Sequence, residues 1–406
     1  MGISCTASAQ SAPKVDAVVI DNFEEFKKSV APLINEMGAK KVVGLGEGTH
    51  GTAEFYQLRF WISRILIKEK GFRNVAFEND LSDVWFLNQQ LASSNDVGGL
   101  MKNHLMSIWQ NQETRLFLEW IRAYNSKHKE KVTVSGIDFP LLKPDVDLLL
   151  SLLDQAADTT LKFSVAKMSK AAATQDEAWI GMNNKAYKAD MKLLRAGSKK
   201  GYVIADSIEK QIVKANLPEE IKHHLQLAIA NVKQGFAPFH SAVSEGDRDS
   251  IMAHNASLML KDPQDKMIIW AHNAHLGKAK IYNGAVGGTG GYLLKLFPNN
   301  YFVLGTGTAN GTFAGTLDVR PTNSNPMIKN TLEKPIEGSW EAMWSEIGTN
   351  FYFKPEKFNP NKTIKPLRFI GFGTKSGASS YDQVNLVDLF DAFLFIRNSN
   401  APTPLE

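Results

Sequence analysis

Residues 41–61 read KVVGLGEGTHGTAEFYQLRFW, and this stretch holds a strand, a tight turn and the start of a helix. Residues 41–45 are almost wholly apolar, as expected of a buried strand. The glycines around Glu47 and His50 let the backbone turn sharply, and from about Thr52 apolar residues recur at helical spacing. A strand followed at once by a helix is the repeating unit of a parallel sheet covered by helices, so this stretch predicts an α/β fold.

Further strands of the same kind recur along the chain. Apolar, β-branched or aromatic runs that end in glycine or polar residues predict strands at residues 74–77, 132–137, 267–270 and 301–304, and a closing strand pair at residues 368–372 and 392–396. Such nearly continuous apolar runs are typical of a sheet buried on both faces. The predicted fold class is therefore α/β, with a mainly parallel central sheet flanked by helices.

Residues 142–260 show helical patterns only. Amphipathic stretches are expected at residues 146–153, 179–194, 202–215, 218–233 and 248–260, with breaks at residues 199–201 and 235–239. We expect this segment to be an inserted all-helical sub-domain and a candidate lid. It separates two parts of an α/β catalytic core, residues 16–141 and 261–406, while residues 1–15 are expected to be a disordered terminus or a signal-peptide remnant.

The composition excludes several classes of protein and site. The net charge of +4 is spread over 46 basic and 42 acidic residues without basic clusters, so no nucleic-acid or membrane partner is expected. The single Cys5 excludes an intrachain disulfide and a thiolate metal site. No apolar run reaches the roughly 18 to 20 residues that span a bilayer. An A-x-A pattern at residues 7–9, lacking the rest of an export signal, leaves a cytoplasmic and a periplasmic location both open.

Ionisable or polar side chains follow each of the first four central strands. In chain order they are Glu47, His50, Glu78, Asp138, His272, Asn273 and His275. Because the carboxyl ends of parallel strands meet at one edge of a sheet, we expect these side chains to converge. Carboxylates and imidazoles in one crevice perturb each other's pKa values, which is the condition for general acid and base chemistry near neutral pH.

Two of the charged residues have alternative roles at this stage. Arg59 falls within the apolar stripe of the first helix and needs a partner there. Glu78 and Glu47 are the nearest candidates by topology, and either a structural ion pair with Glu78 or contact with a negatively charged reaction centre satisfies the arginine. Asp138 is expected to orient a histidine or to cap the next segment.

The sequence lacks the motifs of other common catalytic arrangements. There is no G-x-S-x-G nucleophile elbow, and residues 371–377, GFGTKSG, do not form a phosphate-binding loop. His272 and His275 have the spacing of a helical metal pair, but we expect them to continue a strand, where residues three apart point to opposite faces. No metal and no cofactor are therefore expected, and direct attack by water is the chemistry that remains.

Several long motifs resemble the erythromycin esterase family. The leading one is GEGTHGTAEFYQLRFWISRILIKEKGFRNVAFE at residues 46–78. The others follow in the same order as in that family: IWQNQETRLFLEWIRAYN at 108–125, VSGIDF at 134–139, RDSIMAHNASLML at 248–260, IIWAHNAHLGK at 268–278 and FDAFLFI at 390–396. The likeness spans nearly the whole chain.

The resemblance implies hydrolytic opening of the macrolactone of 14-membered macrolides such as erythromycin, with macrolide resistance as the outcome. It implies that His50 is the general base and that Glu47, Arg59, Glu78 and His272 complete the catalytic set. His275, Asn273, Asp138, Trp109 and Glu113 are expected to support the site or bind substrate.

Three questions stay open on the sequence. The leaving alkoxide takes its proton from His50 or from His272, and Arg59 or His272 stabilises the oxyanion. The rival functions are hydrolysis of another ester and haem or ligand binding through His272 or His275. The oligomeric state is undetermined.

Overall fold

The computed structural model describes residues 14–237 and 247–405. The leader-like residues 1–13 and Cys5 lie outside the described residues. So do residues 238–246, into which the helix break expected at 235–239 extends.

The strands follow each other along the chain as β1 (Asp16–Ala17), β2 (Val42–Glu47), β3 (Asn74–Asp80), β4 (Thr133–Asp138), β5 (Met267–His272), β6 (Tyr301–Gly315), β7 (Ile328–Thr331), β8 (Asn350–Phe353), β9 (Lys365–Arg368), β10 (Tyr381–Val384) and β11 (Ala392–Ser399). The central sheet has the order β1-β8-β11-β6-β2-β5-β3-β4, with β7 paired to β6. Its inner pairs are parallel, and β1, β7 and β8 join it antiparallel. The expected mainly parallel α/β fold is confirmed.

The helices before the fifth strand are α1 (Phe23–Ser29), α2 (Ala31–Gly38), α3 (Ala53–Lys70), α4 (Leu81–Leu91), α5 (Val97–His104), α6 (Gln112–Lys127), α7 (Lys143–Gln155), α8 (Thr159–Ala166), α9 (Ser169–Gly181), α10 (Met191–Lys214), α11 (Glu219–Phe236) and α12 (Arg248–Leu258). Those after it are α13 (Asn273–Leu276), α14 (Thr289–Leu296), α15 (Trp340–Ile347), α16 (Pro355–Phe358) and α17 (Leu386–Leu389).

Helices cover both faces of the sheet. On one face, alternate strand residues such as Phe77 and Trp270 pack with α1, α2, α3 and α6. On the other face, the intervening strand residues such as Ile269 pack with α12, α14 and α15. Burial on both faces is the physical reason that these strands read as continuous apolar runs.

A third apolar cluster joins the helices α7, α8, α10 and α11. Asp176 on α9 ties this group together, since its carboxylate accepts hydrogen bonds from the backbone N–H groups of Leu142 and Lys143 at the start of α7. Within the described ranges, the helices lack the combination of length and apolar character needed to cross a bilayer.

Four local predictions are wrong. Residues 368–372 do not pair with residues 392–396, because β9 ends at Arg368 and pairs with β10 in a separate sheet, whereas β11 pairs with β6 and β8. Residues 179–194 are not one helix, since α9 ends at Gly181 and α10 begins at Met191. The break expected at residues 199–201 is absent, because α10 runs through it with Gly201 packed against the Phe236 ring. His275 does not continue the strand and lies instead in α13.

Candidate active site

His50 is held by a buried carboxylate that follows the same strand. Its Nδ1 lies 2.7 Å from Glu47 Oε1, and Arg59 Nη2 donates to the other Glu47 oxygen at 2.8 Å. Because a carboxylate only accepts, His50 Nδ1 is the donor in this contact, and Nε2 takes no part in it. Glu47 is wholly buried, whereas the His50 ring reaches a large cavity. The arrangement fixes the orientation of the His50 imidazole at that cavity.

The turn that carries these residues needs its glycines for close packing. A Cβ at Gly46 would lie 2.2 Å from Asn273 Oδ1, and one at Gly48 would lie 2.6 Å from the Thr306 carbonyl oxygen. The Asn273 amide is bonded to the Thr306 backbone through both of its polar atoms, at 2.7 and 3.2 Å. The Asn273 side chain therefore packs directly against the turn and holds it in place beside Thr306.

Glu78 reaches the same cavity from β3. The register of β3 against β4 shifts between Phe77 and Asp80, which turns Glu78 out of the ladder, and Gly136 on β4 leaves room for this bulge. One Glu78 oxygen accepts from the His272 backbone N–H at 2.8 Å, and the other lies 3.2 Å from Arg248 Nη2. Arg248 also makes a two-pronged ion pair with Asp138, at 2.5 and 3.0 Å.

His272 is locked into one neutral tautomer. Its Nδ1 accepts from the Ala274 backbone N–H at 3.3 Å, so Nε2 carries the proton, and Nε2 donates to the Ile370 carbonyl at 3.1 Å. Burial, and next the neighbouring His50, lower the pKa of His272 well below its usual range. The two rings lie 4.8 Å apart between centroids. His272 therefore lines the site as a neutral ring, and both of its ring nitrogens are hydrogen-bonded.

His275 has the opposite charge state, because it lies between two carboxylates. Its Nδ1 is 2.7 Å from Asp249 Oδ1, and its Nε2 is 3.3 Å from Glu78 Oε1. Burial alone would lower the pKa of His275, but Glu78 and Asp249 outweigh burial and raise it. For Glu78, burial favours the neutral acid, yet the charges of His275 and Arg248 hold its pKa well below the usual range. Glu78 is thus ionised, and its charge favours the protonated form of His275.

The cavity has a volume of about 990 Å³, and one part of its lining, its polar end, is a cluster of ionisable side chains. The polar end is formed by His50, Glu78, Asp138, Arg248, His272 and His275. The walls are largely apolar and include Trp179, Met182, Tyr187, Met191 and Leu194 from α9, α10 and the segment between them. Such a shape suits a large apolar ligand with one reacting group at the polar end.

The remaining predicted site residues lie around this cavity rather than in it. Arg59 is 1% exposed and lies behind Glu47, so of its two candidate partners it pairs with Glu47 and not with Glu78. Trp109 is buried, donates to the Glu78 carbonyl oxygen at 3.2 Å and faces the Arg59 guanidinium. Glu113 lies elsewhere, accepting from Thr403 near the C-terminal end at 3.1 Å.

Arg248 and Asp249 are the residues at this site that sequence reasoning missed. They occur in the 248–260 motif, where they read as the polar first turn of an amphipathic helix capped by Asp247. The sequence does carry one indication of their role: two residues of opposite charge begin a helix whose following turns are apolar and buried. Among the described residues, no group of three or more His, Cys, Asp or Glu side chains has a metal-holding arrangement.

Comparison with known proteins gives one consistent family. The family model described as erythromycin esterase matches residues 67–399. Erythromycin esterase type II from Escherichia coli is 27% identical over 94% of this chain and 94% of its own length. Erythromycin esterase type I from Escherichia coli is 26% identical over 64% of this chain and 66% of its own length.

A solved structure shares the fold. A mutant erythromycin esterase in its open conformation has a TM-score of 0.67 and 18% identity to this chain, and the match covers 97% of this chain and 99% of that one.

Proposed function

The chain belongs to the erythromycin esterase family, and we propose that it is a hydrolase that opens the lactone ester of 14-membered macrolides such as erythromycin with an activated water. Two Escherichia coli relatives named for erythromycin hydrolysis support the substrate class. The large cavity with mostly apolar walls and a cluster of ionisable side chains supports it independently, because a macrolactone is a large ring that is mostly apolar around its ester.

The observation that carries the proposal is the geometry of His50. Its Nδ1–H is bonded to the Glu47 carboxylate, and its Nε2 faces the cavity. In this orientation Nε2 takes a proton from water as the water attacks the lactone carbonyl. Glu47 then stabilises the imidazolium that forms, and Arg59 fixes Glu47 from behind.

The oxyanion needs a positive partner inside the cavity. Arg59 is buried behind Glu47, and His272 Nε2 donates to Ile370, so neither expected donor faces the reaction centre. Arg248 is 44% exposed in its side chain, lines the cavity and is positioned by Asp138. We assign oxyanion stabilisation to Arg248.

The helical segment at residues 142–260 is proposed to act as a lid. Side chains between Gln175 and Leu194, together with Gly235, form one wall of the cavity. Asn183 joins this wall to the opposite loop, accepting from the backbone N–H groups of Val319 and Arg320 and donating to the Arg320 carbonyl at 3.0 Å. These bonds hold the helical wall of the cavity against the loop that carries Val319 and Arg320.

The rival haem function is disfavoured by the same geometry. A haem iron needs a free histidine nitrogen, but His272 uses both nitrogens and His275 is paired with Asp249 and Glu78. Hydrolysis of a different ester remains the alternative within the same chemistry.

The direct test is incubation of the purified protein with erythromycin, with and without a chelator, followed by mass spectrometry. A gain of one water in both samples is the expected result. A gain only without chelator would show that a metal takes part, and an unchanged mass in both would overturn the macrolide assignment.

A further inference from the structure

Asp249 contacts the charged histidine of the site from outside the cavity lining. Its Oδ1 accepts from His275 Nδ1–H at 2.7 Å. The same oxygen accepts from the Thr289 hydroxyl at 2.7 Å and from the Thr289 backbone N–H at 3.2 Å. Asp249 is only 8% exposed, so this carboxylate is held in one orientation by α12 on one side and α14 on the other.

The charged groups that face His275 come from two elements, β3 and α12. Glu78 on β3 and Asp249 on α12 favour its protonated form, whereas Arg248 on α12, 3.3 Å from Nε2, opposes it. His272 at the end of β5 is neutral. Two negative charges and one positive charge next to His275 together favour its protonated form, in agreement with the raised pKa of His275.

His275 Nε2 lies beside Glu78 and Arg248, and Glu78 holds its proton only weakly. Its distance of 3.3 Å from Glu78 Oε1 is long for a charged hydrogen bond, which is typically about 2.7 to 2.9 Å. His275 also lines the cavity beside His50 and Arg248. This side chain therefore offers a proton at the polar end of the cavity, where a leaving alkoxide has to be protonated.

We propose that His275 is the acid that protonates the leaving alkoxide and that Asp249 is the positioning residue that keeps His275 charged and oriented. This inference rests on the proposed ester hydrolysis. His272, the acid suggested by sequence, is unsuited, because its single proton is bonded to the Ile370 carbonyl.

The step balances without any further reactant. Water gives one proton to His50 Nε2, and its oxygen bonds to the lactone carbon. As the tetrahedral intermediate collapses, the bond from that carbon to the ring oxygen breaks, and the oxygen takes the proton of His275 Nε2. His50 then returns its proton to solvent and His275 regains one, so the sum is ester plus water giving acid plus alcohol.

The test compares Asp249→Asn with the matched control Asp247→Asn. Asp247 is the N-cap of the same helix and pairs with exposed Lys280, and asparagine caps a helix as well as aspartate does. The acid must be protonated, so kcat/KM falls as pH rises through the pKa of His275. Asp249→Asn is expected to move this alkaline limb to lower pH by about 1 unit or more, and Asp247→Asn is expected to leave it in place.

A second variant covers the case in which Asp249→Asn fails to fold. His275→Gln should abolish the alkaline limb and lower kcat on erythromycin by about 10²-fold or more. The inference would be overturned if Asp249→Asn lowered the maximum of the kcat/KM profile without moving its alkaline limb. It would also be overturned if His275→Gln kept the full alkaline limb. A merely structural role would lower the maximum rate and leave the pH dependence unchanged.

A readout without turnover separates this inference from the proposed function. Titration of ¹⁵N-labelled histidine, with the His275 signal assigned by its loss in His275→Gln, should show the same downward shift in Asp249→Asn. If the wild type hydrolyses no ester, the proposed function fails and the acid role fails with it. If the wild type is active but neither the rate profile nor the NMR titration shifts, only the inference fails.

Discussion

Replacing Glu47 by glutamine should damage both the fold and the reaction. Glu47 is the carboxylate that bridges Arg59 and His50, and all three side chains are buried. Nε and Nη1 of Arg59 are buried without a hydrogen-bond partner among the described residues, so Arg59 depends on Glu47 and on the faces of Tyr56, Trp109 and Trp270. Glutamine keeps the shape and removes the charge.

The magnitude follows from leaving a buried guanidinium without its counter-ion. Breaking a buried pair by removing one partner costs about 3 to 5 kcal/mol in free energy of unfolding. The glutamine oxygen still accepts from one of the two neighbours, and the three aromatic contacts remain, so we expect the lower end, about 3 kcal/mol. The loss of a charged partner for His50 should lower kcat by about 10²- to 10⁴-fold.

Urea unfolding and initial rates of erythromycin hydrolysis measure the two effects. Glu113→Gln is the matched control, because Glu113 accepts from Thr403 and does not line the cavity. The control should stay within about threefold in rate and about 1 kcal/mol in stability. A folded Glu47→Gln variant that keeps a wild-type rate, or loses no stability relative to the control, would refute the bridging role.

Two further predictions concern the wall of the cavity and a buried acid. Asn183→Ala removes the hydrogen bonds that join the helical wall to the backbone at Arg320. KM for erythromycin should therefore rise several-fold, which corresponds to roughly 1 kcal/mol of binding free energy, while kcat stays nearly unchanged. An unchanged KM would count against a lid. Burial raises the pKa of Glu341 to about 7 despite the nearby Arg368. The folded state therefore holds a proton that the unfolded state gives up, and this contribution to stability is lost as pH rises through about 7. Glu341→Gln should raise the urea midpoint more at about pH 8 than at about pH 6, and an equal change at both would contradict the assignment.

The central sheet and the side chains at the carboxyl ends of its strands were predictable, because both follow from local patterns in the sequence. Strands buried on both faces read as apolar runs, and residues that follow such strands meet at one edge of a parallel sheet. That reasoning brought together Glu78, Asp138, His50 and His272 from segments far apart in the chain, and the structure places all four on one cavity.

The partners of each charge were not predictable, because they depend on distances between remote segments. Arg59 was expected near either Glu47 or Glu78, and topology alone did not choose between them. The bulge in β3 turns Glu78 toward Arg248, and Arg59 pairs with Glu47. Arg248 lies 110 positions from Asp138, and nothing in its own segment indicates that contact.

Short irregular segments account for most of the other differences. The run at residues 368–372 is apolar enough for a strand, but Ile370 instead forms an isolated bridge to Thr49 and accepts from His272. Its apolar character thus reflects burial against the catalytic turn. The strand β8, which lies between β1 and β11, was missed because four residues carry too little periodic signal.

The most direct test of the central claim is the rate of erythromycin hydrolysis by His50→Asn. Asparagine keeps an N–H for Glu47 and removes the Nε2 that faces the cavity, so the fold should survive while the base is lost. The account predicts a folded protein, by circular dichroism and thermal unfolding, whose kcat is about 10²- to 10⁴-fold lower. A folded variant that retains a rate within about tenfold of the wild type would contradict His50 as the base.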